Sequence, residues 1–102
     1  MPALTGKQRR HLRGLGQALP VTLNVGHEGV SGAVVAQADA QLEAHELIKV
    51  RVSENAPEDR HATAEELAAH TRAHLAQVIG RTALLYRRRR DEPAIVLPGE
   101  DR

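Results

Sequence analysis

The stretch VTLNVGHEGVSGAVVAQADAQLEAHELIKVRV, Val21 to Val52, changes its hydrophobic period twice. Val21, Leu23 and Val25 alternate with Thr22 and Asn24, the two-residue period of a half-buried strand. Further on, Val34, Ala38 and Leu42 recur at steps of four, the buried stripe of a helix, and Ser31 is placed to cap its start. LIKVRV then returns to alternation, with Ile48, Val50 and Val52 on one face and Leu47, Lys49 and Arg51 on the other. The reading is strand, glycine loop, helix, strand. The sheet face bearing Lys49 and Arg51 is expected to be open and basic.

The loop Gly26-His27-Glu28-Gly29 joins the first strand to that helix. Glycines tolerate positive φ and let the backbone approach a ligand closely. Spelling alone leaves a plain turn and a phosphate contact both open. A helix beginning near Ser31 favours the anion, because the first N–H groups of a helix lack internal partners. The loop lacks the Gly-Lys-Ser/Thr ending of a nucleotide-binding P-loop. His27 and Glu28 could pair as a base and its partner, but no nucleophile or cofactor motif accompanies them, so no catalytic role is assigned.

On the amino-terminal side, LTGKQRRHLRGLGQALP (Leu4–Pro20) reads as an amphipathic helix. Thr5 and Gln8 have the spacing of a capping box, and Leu12, Leu15 and Leu19 share a face. Lys7, Arg10 and Arg13 point largely away from it. Gly14 and Gly16 weaken the last turn, and Pro20 ends the helix.

On the carboxy-terminal side, SENAPEDRHAT is a polar loop running into a third helix, AEELAAHTRAHL (Ala64–Leu75). AQVIG and TALLYR are two short apolar runs around Gly80-Arg81 and suggest a hairpin. RRRRDE is expected to be solvated, and PAIVLP to add an apolar edge segment. The order α-β-α-β-α-β-β favours an α/β domain, a sheet with helices packed on it.

The 102 residues suit one domain with a lean core, for the chain has one Tyr and neither Phe nor Trp. With 26% charged and 41% apolar residues it has an ordinary globular balance. No apolar run approaches the roughly 20 residues of a membrane helix, and none has the form of a signal peptide. The absence of Cys removes disulfide and thiolate chemistry. A cytoplasmic monomer without cofactor or metal is expected.

Net charge is only +1, but its distribution is uneven. Residues 1–20 carry four bases and no acid, 21–80 carry four bases against nine acids, and 81–102 carry six bases against four acids. If the fold gathers the two basic ends, they form one patch. Arg supplies 12 of the 14 basic residues, and its fork suits phosphate. Glu66, His70 and His74, spaced by four on the expected third helix, could line a stripe for metal. No Glu adjoins His70 and no further ligand is evident, so surface histidines are preferred. Tyr86 is either a base-contacting ring or a core residue, and one ring cannot build a multi-base stacking platform.

Three segments together, LTGKQRRHLRGLGQALPVTLNVGHEGVSGAVV, HELIKVRV and QVIGRTALLYRR, resemble the CRM domain in its single-domain bacterial YhbY form. The resemblance spans roughly residues 4–97, so the domain is taken as 1–97 and residues 98–102 as a tail. It implies a compact α/β domain with a four-stranded mixed sheet, similar to the carboxy-terminal domain of translation initiation factor three. It also implies RNA binding, with the bacterial form associating with precursors of the large ribosomal subunit; in plant relatives the domain serves group II intron splicing. The family's Gly-x-x-Gly loop, likened to that of KH domains, falls on Gly26-His27-Glu28-Gly29. Here the sequence departs from a phosphate cradle, since Glu28 is acidic and the loop holds no lysine.

The expected interface comprises Lys7, Arg10, Arg13, the Gly26–Gly29 loop, Lys49, Arg51, Arg81 and Arg87. On this reading Gly29→Asp cuts RNA affinity and leaves the fold intact. The rival reading is a protein-binding adaptor on a ribosomal protein or an assembly GTPase, using the acidic middle of the chain with Glu58, Glu65 and Glu66.

Overall fold

The computed structural model describes residues 3–99, so most of the expected tail, 100–102, lies outside the described residues. Seven elements follow one another: α1 (Gly6–Gly16), β1 (Val21–Val25), α2 (Gly32–His45), β2 (Leu47–Val52), α3 (Arg60–Thr71), β3 (His74–Ile79) and β4 (Thr82–Tyr86). The strands form one mixed sheet in the order β1-β2-β4-β3. β1 and β2 run parallel, joined through α2, while β4 is antiparallel to both of its neighbours. The expected order and the hairpin around Gly80-Arg81 are both present.

Each face of the sheet has its own core. On one, α2 and α3 lay Ala38, Leu42, Leu67 and Ala68 against Leu23, Val25, Ile48, Val50 and Leu85. On the other, Leu12 of α1 and Leu97 of the carboxy-terminal segment cover Leu47, Ala76, Leu84 and Tyr86. The sheet is therefore sandwiched, and the second face is not open throughout as its alternation suggested. Alternation cannot show whether a distant helix returns to cover a face.

α1 starts as its sequence requires. The Thr5 hydroxyl accepts from the Gln8 N–H at 3.1 Å, and the Gln8 side chain accepts from the Thr5 N–H at 3.0 Å. It stops at Gly16, short of Pro20, so Leu19 lies beyond the helix. Its contact face centres on Leu12 and Gly16, both buried, and Leu15 is left 41% exposed. A Cβ on Gly16 would stand 2.8 Å from the Leu84 methyl carbons, so the helix rests on the sheet through that glycine.

α3 begins and ends earlier than its sequence suggested. The Asp59 carboxylate accepts from the Ala62 N–H at 2.9 Å and starts the helix at Arg60. That hydrogen bond is the main reason its pKa lies below the usual carboxylate range. Arg72 takes a left-handed conformation (φ 57°) and ends the helix, which releases the chain into β3. His74 is thus the first residue of a strand, and the stripe Glu66, His70, His74 does not exist. PAIVLP forms no strand either; it packs irregularly through Ile95 and Leu97.

Candidate nucleic-acid interface

Strand register decides which residues meet on the α1 side of the sheet. The row Leu47, Tyr86, His74 lies toward α1 and the carboxy-terminal segment and is largely buried. Two residues along β2, a second row crosses all four strands as Val21, Lys49, Leu84 and Gln77. A third holds Arg51, Thr82 and Ile79. Here the cover runs out: Val21 is 40% and Ile79 64% exposed, and Arg51 is exposed. The open basic face is real, but it occupies only this half of the sheet.

Arg13 reaches the same region from α1. With Lys49, Gln77 and Ile79 it lines a cleft of about 400 Å³ between the end of the helix and the sheet. Arg9, one turn earlier and counted in the basic amino-terminal end but not in the expected interface, flanks β3 together with Arg13. Its signal was the four-residue step from Arg9 to Arg13, which puts both on one side of the helix. Lys7 and Arg10 are exposed on the outer side of α1, on the same flank of the molecule but away from the cleft. Among the described residues no carboxylate lies within ion-pair distance of Arg9, Arg13, Lys49 or Arg51.

The glycine loop borders this open end, because Asn24 pairs with Arg51 and Gly26 follows two residues later. The Gly29 N–H donates to the Gly26 carbonyl at 2.9 Å, closing a turn that presents the exposed side chains of His27 and Glu28. Gly29 is buried at φ +68°, and a Cβ there would lie 3.0 Å from Pro57 Cγ. Gly29 is therefore a structural requirement, and Gly29→Asp cannot leave the fold undisturbed. A Cβ on Gly26 would meet nothing within 4 Å, and that glycine has no positive φ. Arg81, in the β3–β4 turn at the same end, makes a 3.8 Å contact with Glu54, a solvent-exposed pair of small energetic weight.

Arg87 does not join this group. Its guanidinium donates to Asp39 Oδ1 at 2.6 Å, to the Thr71 carbonyl at 2.7 Å and to the Asp39 carbonyl at 3.1 Å, with Glu43 at 3.5 Å. Its charge ties β4 to α2 and α3. The arginine run is thus not simply solvated, for Arg89 also donates, to the carbonyls of Ala44 and Glu92.

Sequence reasoning missed Glu46, which is fully buried and sits at φ 65° between α2 and β2. Its carboxylate accepts from the backbone N–H groups of Arg89 (3.1 Å), Ala94 (2.7 Å) and Ile95 (2.9 Å). Burial works to raise its pKa, but those three hydrogen bonds and the nearby Arg89 charge outweigh burial and hold it below the ordinary value. Nothing in HELIKV marks a glutamate as the anchor of a segment more than 40 residues away.

Tyr86 is a core residue, 3% exposed, with the His74 ring stacked on it at 6.2 Å. Burial, more than the positive charge nearby, depresses the His74 pKa. His70 lies 3.7 Å from Glu66 on the exposed side of α3. No cluster of three or more His, Asp or Glu among the described residues could hold a metal ion. Nor is any helix there long and apolar enough to cross a membrane.

The model of the CRS1 / YhbY (CRM) domain matches residues 4–87. The chain is 42% identical over 95 residues to the Bacillus subtilis "probable RNA-binding protein YqeI", covering 93% of this chain and 99% of that protein. It is 38% identical over 86 residues to the Pseudomonas aeruginosa "probable RNA-binding protein PA4753", covering 84% and 83%. The solution structure of Staphylococcus aureus SAV1595, described as a candidate RNA-binding protein, superposes with a TM-score of 0.80 at 40% identity, over 93% of this chain and 99% of that one. A two-faced α/β sandwich, a glycine turn beside a basic sheet end and these likenesses lead to one assignment: the chain belongs to the CRS1/YhbY (CRM) domain family.

Proposed function

We propose that this protein binds RNA as a cytoplasmic monomer, without cofactor or catalytic activity, and that it assists assembly of the large ribosomal subunit on precursor RNA. The observation that carries the reading is that Arg13, Lys49 and Arg51 along the uncovered half of the sheet, and Arg9 beside β3, have no carboxylate in ion-pair reach among the described residues. Unpaired positive charge beside an exposed apolar surface serves no folding purpose and suits a phosphate backbone. Lys7, Arg10 and Arg81 widen the field, and the Gly26–Gly29 turn stands next to it with His27 and Glu28 exposed. The names of the relatives support the same class of partner. The exposed acids Glu65 and Glu66 lie on α3, on the opposite side of the sheet, where they would not repel RNA.

Sedimentation of a lysate on a density gradient tests the proposal. Migration with immature large-subunit particles, lost as salt rises, is the expected result. Each phosphate neutralised should add roughly 0.7–0.9 to the slope of log affinity against log salt. A protein that stays at the top of the gradient at low salt would refute the assembly role.

A further inference from the structure

Beyond general backbone contact, the cleft between α1 and the sheet has the makings of a nucleotide-sized subsite. Its floor and walls are aliphatic, from Leu19, Val21, Leu84 and Ile79, and Gln77 and Thr82 add polar atoms. Arg13 and Lys49 complete the lining, neither with a carboxylate in ion-pair reach among the described residues. Its volume of about 400 Å³ falls within the usual range of small-ligand sites, about 300–1,000 Å³. Ile79 at 64% and Val21 at 40% exposure leave apolar surface in water that the fold does not use.

That pattern matches one chemical unit. A nucleotide joins an anionic phosphate to a flat base with apolar faces and a hydrogen-bonding edge. An amide such as Gln77 both donates and accepts, so it can meet a base edge. A guanidinium such as Arg13 can lie on a base face or bond a phosphate. We propose that this cleft receives an unstacked base of single-stranded RNA, laid against the neighbouring aliphatic side chains of Leu84 and Ile79, with Arg13 and Lys49 on the adjoining phosphates. The inference rests on the RNA-binding reading and sharpens it from RNA in general to single-stranded segments. The base of a duplex remains stacked on its neighbours and cannot enter. The chain's one tyrosine is buried under Leu12 and His74, so aliphatic packing takes the place of ring stacking here.

The test uses the full chain and two probes, a short oligoadenylate carrying one 2-aminopurine and an RNA duplex of equal charge. On binding the single strand at low salt, 2-aminopurine emission should rise as the base leaves its stack. The neutral variants Ile79→Ser and Gln77→Ala should each weaken single-strand binding by about fivefold to tenfold. Their salt slope and duplex affinity should stay as in the unaltered protein, which also shows that the variants fold. Unchanged emission on binding would overturn the proposal, as would equal weakening of both probes or no weakening of either. If the unaltered protein binds neither probe at low salt, the RNA-binding reading falls with it; if both bind and emission is flat, only the base subsite falls.

Discussion

Replacing Glu46 with Gln should destabilise the protein by about 3–5 kcal/mol at neutral pH. The variant keeps the shape and one acceptor oxygen, so Ala94 and Ile95 can still donate at the Oε1 position. Those two bonds lose their charge assistance, a drop of roughly 1 kcal/mol each from the 1.5–3 kcal/mol of a bond to a charged group. The Arg89 N–H, which donates to Oε2 at 3.1 Å, would face the amide nitrogen, another donor, and lose its partner. That adds roughly 1–3 kcal/mol. Release of the Arg88–Leu97 segment caps the total, since freed amides can turn to water once Ile95 and Leu97 leave the core.

Urea denaturation of both proteins from neutral pH down to about pH 3 gives the measurement, and acid supplies its second half. The folded pKa of Glu46 is depressed, so its stabilisation is complete above the ordinary glutamate value of about 4.3 and is lost as pH falls through the folded value. The gap between the two proteins should therefore close on acidification. A gap below about 0.5 kcal/mol at neutral pH, or one that persists unchanged at low pH, would refute the reasoning.

Other expectations are shorter to state. Gly29→Ala should cost about 1–3 kcal/mol in a denaturant titration, because φ is +68° and Pro57 stands 3.0 Å away, whereas Gly26→Ala should cost less than about 0.5 kcal/mol. Gly26→Asp is accordingly the usable probe of the loop, and it should weaken RNA binding without unfolding the chain. Arg87→Ala should lower stability by about 1–3 kcal/mol, leaving the Thr71 carbonyl and Asp39 without their donor, yet leave RNA affinity within about twofold. Exchanging Arg13 and Lys49 together for Gln should reduce the salt slope of RNA binding by roughly 1–2 with stability unchanged.

Period and capping carry much of this fold in the sequence itself. Ser31 caps α2, Thr5 and Gln8 close their reciprocal box, and the β3–β4 hairpin turns at Gly80-Arg81, because each depends on residues a few positions apart. The family likeness was legible for the same reason, resting on contiguous motifs. Where the chain returns on itself, local pattern is silent. It did not show that α1 covers half of the second sheet face, that α3 ends at a left-handed Arg72, or that Leu15 and Val21 remain in water.

The candidate interface divides along that line. Sequence alone determined which cations exist and that Lys49 and Arg51 share a strand face; a period of two fixes that without reference to anything distant. Only tertiary structure decided which charges remain unpaired. Arg87 was consumed by Asp39 and Thr71, 48 and 16 residues away, while Arg13 was delivered beside Lys49 by the docking of α1 on Leu84 through Gly16. Buried Glu46 shows the same rule in reverse, since a carboxylate stays charged in a core only where distant backbone donors converge on it.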